Sequence, residues 1–205
     1  MIISIHIPKA GGTSLRQVLH SLYGAHLWAD YSRQWSPEDA HLAEIPTSAR
    51  CLHGHFEADA FKRRFPDAKL ITWMRNPVDR IVSLYQHILH RPDLENSYIR
   101  EIHQYQPSLV EFSQIPWVRN HAFNYLKDFS PEDFTFIGFL EDFASSLRSC
   151  AHKLEWPDIP KPVWKNKAGD NTPTPPANQL RFLREQNRKE IQWYEQARSY
   201  FSSES

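Results

Sequence analysis

The sequence is short of cysteine, of charge of one sign and of long apolar runs, and each shortage removes a class of protein. Two cysteines in 205 residues, Cys51 and Cys150, build no disulfide framework. Two buried thiols in a reducing compartment are expected, and spacing does not say whether they pair. Lysine plus arginine equals aspartate plus glutamate at 24 each, so no overall field draws the chain to nucleic acid or a membrane surface. Any anion site has to be local. The apolar start runs straight into a glycine turn, far short of the ~20 residues of a membrane span, and it lacks the pattern of a signal peptide. Stable membrane insertion is not expected. The length suits one domain, residues 1–205, with a full core, and leaves oligomeric state open.

What is present is concentrated at the start. Ile2 to Ile7 is a β-branched run suited to an inner strand of a parallel sheet, and Pro8 ends it because proline cannot donate to the ladder. Pro8-Lys9-Ala10-Gly11-Gly12-Thr13-Ser14 follows as a loop. Its glycines allow φ > 0 and close approach to a ligand, and Thr13 or Ser14 is expected to cap the next helix. Leu15, Val18, Leu19 and Leu22 recur at helical spacing, so one face is buried and the helix N-terminus is fixed over the strand end, where phosphate or sulfate binds well. A Walker loop carries its lysine after the last glycine, whereas Lys9 precedes both. A P-loop kinase would also need a carboxylate for magnesium at the end of a neighbouring strand. The next such run, Lys69 to Met74, ends in Arg75 instead.

Between these two runs lies Arg50-Cys-Leu-His-Gly-His-Phe56. On a strand, His53 and His55 point the same way, and a histidine suits proton abstraction near neutral pH. The pair could also ligate zinc, but no cysteine or carboxylate cluster completes a metal site nearby by spacing. Asn76 and Pro77 read as N-cap and first position of a helix whose buried stripe is Val78, Ile81, Val82, Tyr85, Ile88 and Leu89. Asp79 and Arg80 read as surface residues paired with each other or with nearby charges at least as readily as ligand contacts, and stay outside the site. Arg75, between strand end and helix start, has the fork to hold a phosphate.

The remainder is less patterned. Trp28 to Ala49 is mixed and polar, with Ser36-Pro37-Glu38-Asp39 opening a short helix. Short helices are expected within 96–105 and 108–124, and Tyr98, Tyr105 and Trp117 would suit stacking on a sugar. Phe134 to Phe139 reads as a core strand. Glu141 and Asp142 open a helix with Phe143, Leu147, Cys150 and Leu154 on one face, and Asn178 to Tyr200 reads as one final helix.

Three of these segments, in order, resemble motifs of the sulfotransferases that use 3′-phosphoadenosine 5′-phosphosulfate (PAPS), in particular the carbohydrate branch with the heparan and uronyl 2-O-sulfotransferases. Residues 6–14 resemble the 5′-phosphosulfate loop, the His-Gly-His triplet resembles the 2-O-sulfotransferase base motif, and Arg75 to Tyr85 resembles the 3′-phosphate motif with its arginine and serine eight positions apart. The resemblance spans nearly the whole chain. It implies an α/β, P-loop-containing three-layer fold with a central parallel sheet flanked by helices. It implies PAPS as donor, adenosine 3′,5′-bisphosphate (PAP) as product, no metal, and a carbohydrate or small-molecule hydroxyl as acceptor. By the same resemblance His55 is the base, with His53 also in the site and Glu57 in reserve, and Lys9 stabilises the leaving phosphate. Pro8, Lys9, Ala10, Gly11, Gly12, Thr13 and Ser14 hold the phosphosulfate, while Arg75 and Ser83 hold the 3′-phosphate. Lys165 and Lys167 fall where the family closes a basic loop over the nucleotide, and Glu190, Tyr194 and Phe201 follow its closing pattern. A cytoplasmic enzyme of bacterial source would fit. The alternatives are a kinase-like phosphotransferase and a catalytically idle nucleotide-binding module, which would be expected to lose the loop lysine or the base.

Overall fold

The computed structural model describes residues 1–36, 44–90, 97–158 and 174–202. Five strands, β1 (Ile2–Ile5), β2 (Leu27–Trp35), β3 (Cys51–Phe56), β4 (Lys69–Met74) and β5 (Phe136–Phe139), form one all-parallel sheet in the order β2-β3-β1-β4-β5. β1 lies at the centre, with Ser4 opposite His53 on one side and Ile71 on the other. Parallel neighbours need crossovers, and helices supply them. α1 (Gly12–Tyr23) packs on β2 and β3, α2 (Ala58–Arg64) on β1, and α7 (Phe143–Lys153) on β5. α3 (Pro77–Leu89) follows β4. The long connection from α3 to β5 holds α4 (Ser97–Tyr105), α5 (Leu109–Gln114) and α6 (Phe123–Leu126), and the chain closes with α8 (Ala177–Gln186) and α9 (Arg188–Ser202). The architecture is the expected α/β one, a parallel sheet flanked by helices. No helix among the described residues is long and apolar enough to cross a membrane.

The central strands are apolar on both faces, as a covered parallel sheet requires. Ile3, Ile5, Leu52, Ile71 and Trp73 are buried in the main core with Phe61 of α2 and Phe143 of α7. A second cluster, with Val78 and Ile81 of α3, Phe112 of α5 and Leu183 of α8, lies beside it. Both cysteines are buried and unpaired.

Several boundaries differ from those the sequence suggests. β1 stops at Ile5 rather than Ile7, although the His6 amide still donates to the Gly54 carbonyl at 2.8 Å. β2 arises in a stretch with no apolar period, because pairing with β3 rather than alternation holds it; its register shifts between Asp30 and Trp35. The short helices expected within 108–124 are α5 and the start of α6, which runs on to Leu126. The Ser108 capping box starts α5, and Pro116, which has no N–H to donate, follows its end. The closing helix is two, broken at Asn187, whose Nδ2 donates to the Leu183 carbonyl (2.9 Å) and whose Oδ1 accepts from the Asn120 amide (2.8 Å). The helix expected from Ser36 to Asp39 falls largely outside the described residues.

Candidate active site

Because all five strands run the same way, their carboxyl ends share one edge, where ligands of open α/β sheets bind. The loops after β1 and β4 and the last residues of β3 meet there. In the first loop the Ala10 amide donates to the Ile7 carbonyl (3.3 Å), and the Ser14 and Leu15 amides both donate to the Gly11 carbonyl at 3.1 Å. Among the described residues the amides of Gly12 and Thr13 donate to no backbone carbonyl, so they remain at the helix start for a ligand. The expected cap by Thr13 or Ser14 is not made. α1 starts at Gly12, which places both hydroxyls inside the helix, and Gly11 takes the N-cap position in the left-handed region at φ 89. Lys9 also has positive φ, 67. That conformation costs a non-glycine residue roughly 1–3 kcal/mol, so the surrounding loop has to impose it.

Next to the loop stands a group of rings. His53 is fully buried, and its Nδ1 meets the Ser4 hydroxyl at 2.9 Å and the Ser4 carbonyl at 3.2 Å. Burial pushes its pKa down to about 4, outweighing the backbone contacts to Ser4 and Gly12. His55 is half-buried, and burial lowers its pKa as well, opposed by a contact with the His6 backbone. The His55 ring stacks on His6, with centroids 4.7 Å apart, and meets Tyr31 of β2 edge-on at 5.2 Å. The Arg16 guanidinium lies over the Tyr31 ring, 5.1 Å from its centroid. Nδ1 of His6, Nε2 of His53, Nδ1 of His55 and the Tyr31 hydroxyl are all buried without a hydrogen-bond partner. Near-parallel rings present faces to one another, and among the described residues no group of three or more His, Cys, Asp or Glu side chains is arranged to hold a metal ion. On its other side His55 meets Tyr125 of α6 at 5.9 Å, which in turn meets His121 at 5.3 Å. His121 is pushed down to about 4, first by burial and then by the Arg80 charge. Glu57, the reserve candidate, has its carboxylate 3.1 Å from Lys127 Nζ.

The third segment sits where β4 gives way to α3. Asn76 Oδ1 accepts from the Val78 (3.0 Å) and Asp79 (3.4 Å) amides, as the Asn-Pro pair predicts. Arg75 is half-buried and makes no ion pair with any described residue. Ser83, two turns along α3, is half-buried too. Arg80 corrects the expectation of a surface residue: it is 1% exposed, and its Nε and Nη2 donate to the two carboxylate oxygens of Glu190 at 3.1 and 3.2 Å. Glu190 also accepts from the Ala122 amide at 3.2 Å. The pair therefore ties α3 and α9 to the segment that carries His121. Lys165 and Lys167 lie outside the described residues.

Sequence reasoning passed over His6 and Tyr31. Ser4 on β1 and His6 just past its end alternate as His53 and His55 do on β3, and this period of two was a usable signal. It points to a cluster only once the two strands are known to be neighbours in register, with Ser4 opposite His53.

The family model described as "Sulfotransferase family" matches residues 1–196. No curated protein matches the chain. Among solved structures, a sulfotransferase from Alicyclobacillus acidocaldarius is similar at 18% identity and a TM-score of 0.49, over 97% of this chain and 94% of that one. Mouse sulfotransferase SULT7A1 in complex with PAP is similar at 18% identity and a TM-score of 0.42; the likeness covers 78% of this chain and 59% of the mouse chain.

Proposed function

The chain belongs to the sulfotransferase family, and we propose that it moves the sulfuryl group of PAPS onto a hydroxyl of a carbohydrate or carbohydrate-containing acceptor, with His55 as general base. The observation that carries this reading is the contact between His55 and His6, because the His6 ring also lies against Gly12 and so sets the candidate base beside the glycine loop. A base and an anion cradle on separate parts of the sheet edge would not make an enzyme. The carbohydrate acceptor rests on the His-Gly-His resemblance.

The roles follow from chemistry at each position. The amides at the start of α1 and the Lys9 ammonium suit the phosphosulfate, and Lys9 offsets negative charge that develops on the leaving phosphate. Pro8, Ala10, Gly11, Thr13 and Ser14 shape that loop. Arg75, without an ion-pair partner among the described residues, and Ser83 on the same helix suit the 3′-phosphate. His55 is neutral near pH 7, so it accepts the hydroxyl proton as the oxygen attacks sulfur and PAP departs. His53, fixed by Ser4, stacks on the same His6 ring that His55 meets. The donor supplies the transferable group, and no step assigned to these residues calls for a metal.

The test is calorimetric titration of PAP into wild type and Arg75→Ala, with ATP plus magnesium as the control ligand. Micromolar PAP binding, weakened by about 1.5–3 kcal/mol in Arg75→Ala, is the expected result for loss of a charged hydrogen bond. Lys9→Ala and His55→Ala should bind PAP and lose about 10²–10³ and 10²–10⁴ in turnover respectively. Binding of ATP–magnesium alone would replace this reading with a kinase-like one.

A further inference from the structure

His6 takes no chemical step in the scheme above, yet its ring touches both halves of the site. It lies face to face with His55 (4.7 Å, planes 25° apart) and with His53 (5.6 Å, 19°), and Tyr31 stands edge-on at 5.0 Å. On the loop side, a Cβ placed on Gly12 would fall onto the Nε2, Cδ2 and Cε1 atoms of this ring. Backbone conformation is no obstacle to a side chain there, since Gly11 has positive φ and Gly12 does not. A side chain at position 12 would therefore have to displace the His6 ring. The His6 amide donates to the Gly54 carbonyl at 2.8 Å, which fixes the residue between His53 and His55 along the strand edge.

We propose that His6 is a positioning residue, a flat spacer whose ring holds the glycine loop and the His55 ring at a set separation so that donor and base face one another. The proposal rests on the reading of His55 as base and the loop as donor cradle. The ring meets His53 and His55 through its faces, and its buried Nδ1 makes no hydrogen bond. Burial, then His53, His55, Lys9 and Arg16 around it, hold its pKa well below the usual 6.5, so it stays an uncharged plate beside the donor. Moving the base by as little as 1 Å would cost on the order of 10²-fold in rate, which is how a residue that touches no reacting atom governs turnover.

Four proteins test this: Gly12→Ala, His6→Ala, His6→Phe and the Gly12→Ala/His6→Ala double variant. PAP affinity is read by calorimetry, stability by urea unfolding, and turnover as PAP released from PAPS with a mixture of methyl glycosides present. Gly12→Ala is expected to weaken PAP binding about tenfold in the wild-type background and less than about twofold beside His6→Ala, where the new methyl group has room. Urea midpoints should show the same coupling without any ligand. His6→Ala should lower kcat by about 10²-fold with the KM for PAPS within about threefold, and His6→Phe, which keeps a flat ring, should return kcat to within about threefold of wild type. Equal cost of Gly12→Ala in both backgrounds, or a His6→Phe enzyme as slow as His6→Ala, overturns the spacer while leaving sulfuryl transfer intact. A wild type that binds no PAP overturns the sulfotransferase reading and the spacer with it.

Discussion

His55 serves as a base only while its imidazole is neutral, and burial helps by holding its pKa below 6.5. The neutral form is present at pH 7 and is lost as pH falls, so kcat/KM for PAPS should be flat from about pH 7 to 8, with its acid limb below about pH 6.5. His53 and His121 report on stability instead. Both have folded pKa values of about 4, so between pH 6.5 and 4 the unfolded chain binds more protons and stability falls as pH drops through that window. Each should contribute roughly 2 kcal/mol of loss between pH 6.5 and 5, read from urea midpoints at the two pH values, and His121→Gln should flatten the slope. The facing of His53 and His55 was legible in the sequence, because it needs only a period of two. The lowered pKa values were not, since they come from burial by groups that only folding brings together and, for His121, from the Arg80 charge.

At the scale of elements, helix starts with their own chemistry were legible: Asn76-Pro77 opens α3, and Ser108 with Glu111 opens α5. Arg80 was misread for the opposite reason. Its side chain is buried by a partner 110 residues away, and no local pattern announces Glu190. The α3–α9 contact should be correspondingly sensitive. Glu190→Ala leaves a buried guanidinium uncompensated and should cost about 3–5 kcal/mol in urea unfolding. Replacing both partners together, as Arg80→Met with Glu190→Leu, should cost less than Glu190→Ala alone, because no buried charge remains. β2 escaped notice because its Leu-Trp-Ala-Asp-Tyr order carries no alternation; β3 recruits it through the backbone.

For the whole molecule, α9 contributes to the main core and α3 to the second cluster, and the residues proposed for the 3′-phosphate, Arg75 and Ser83, lie just before α3 and along it. A ligand that bridges the first loop and Arg75 should therefore stabilise the chain as a unit. PAP at 100 times its dissociation constant should add about 2.7 kcal/mol to unfolding, and Arg75→Ala should lose most of that gain at the same concentration. The parallel sheet and the inner place of its first strand were legible from three strand–loop–helix units, whereas the strand order, with β1 at the centre, was not, because order depends on which crossovers pack. The central place of β1 also bears on how the chain is made. Ile2 to Ile5 is synthesised before either neighbour, and its partners at Cys51–Phe56 and Lys69–Met74 are made later. An apolar segment must thus wait unpaired until β3 has emerged, and with one edge open until β4 follows. Fast, unassisted translation is the circumstance in which this protein should aggregate, and slower synthesis or a bound chaperone should raise the soluble yield.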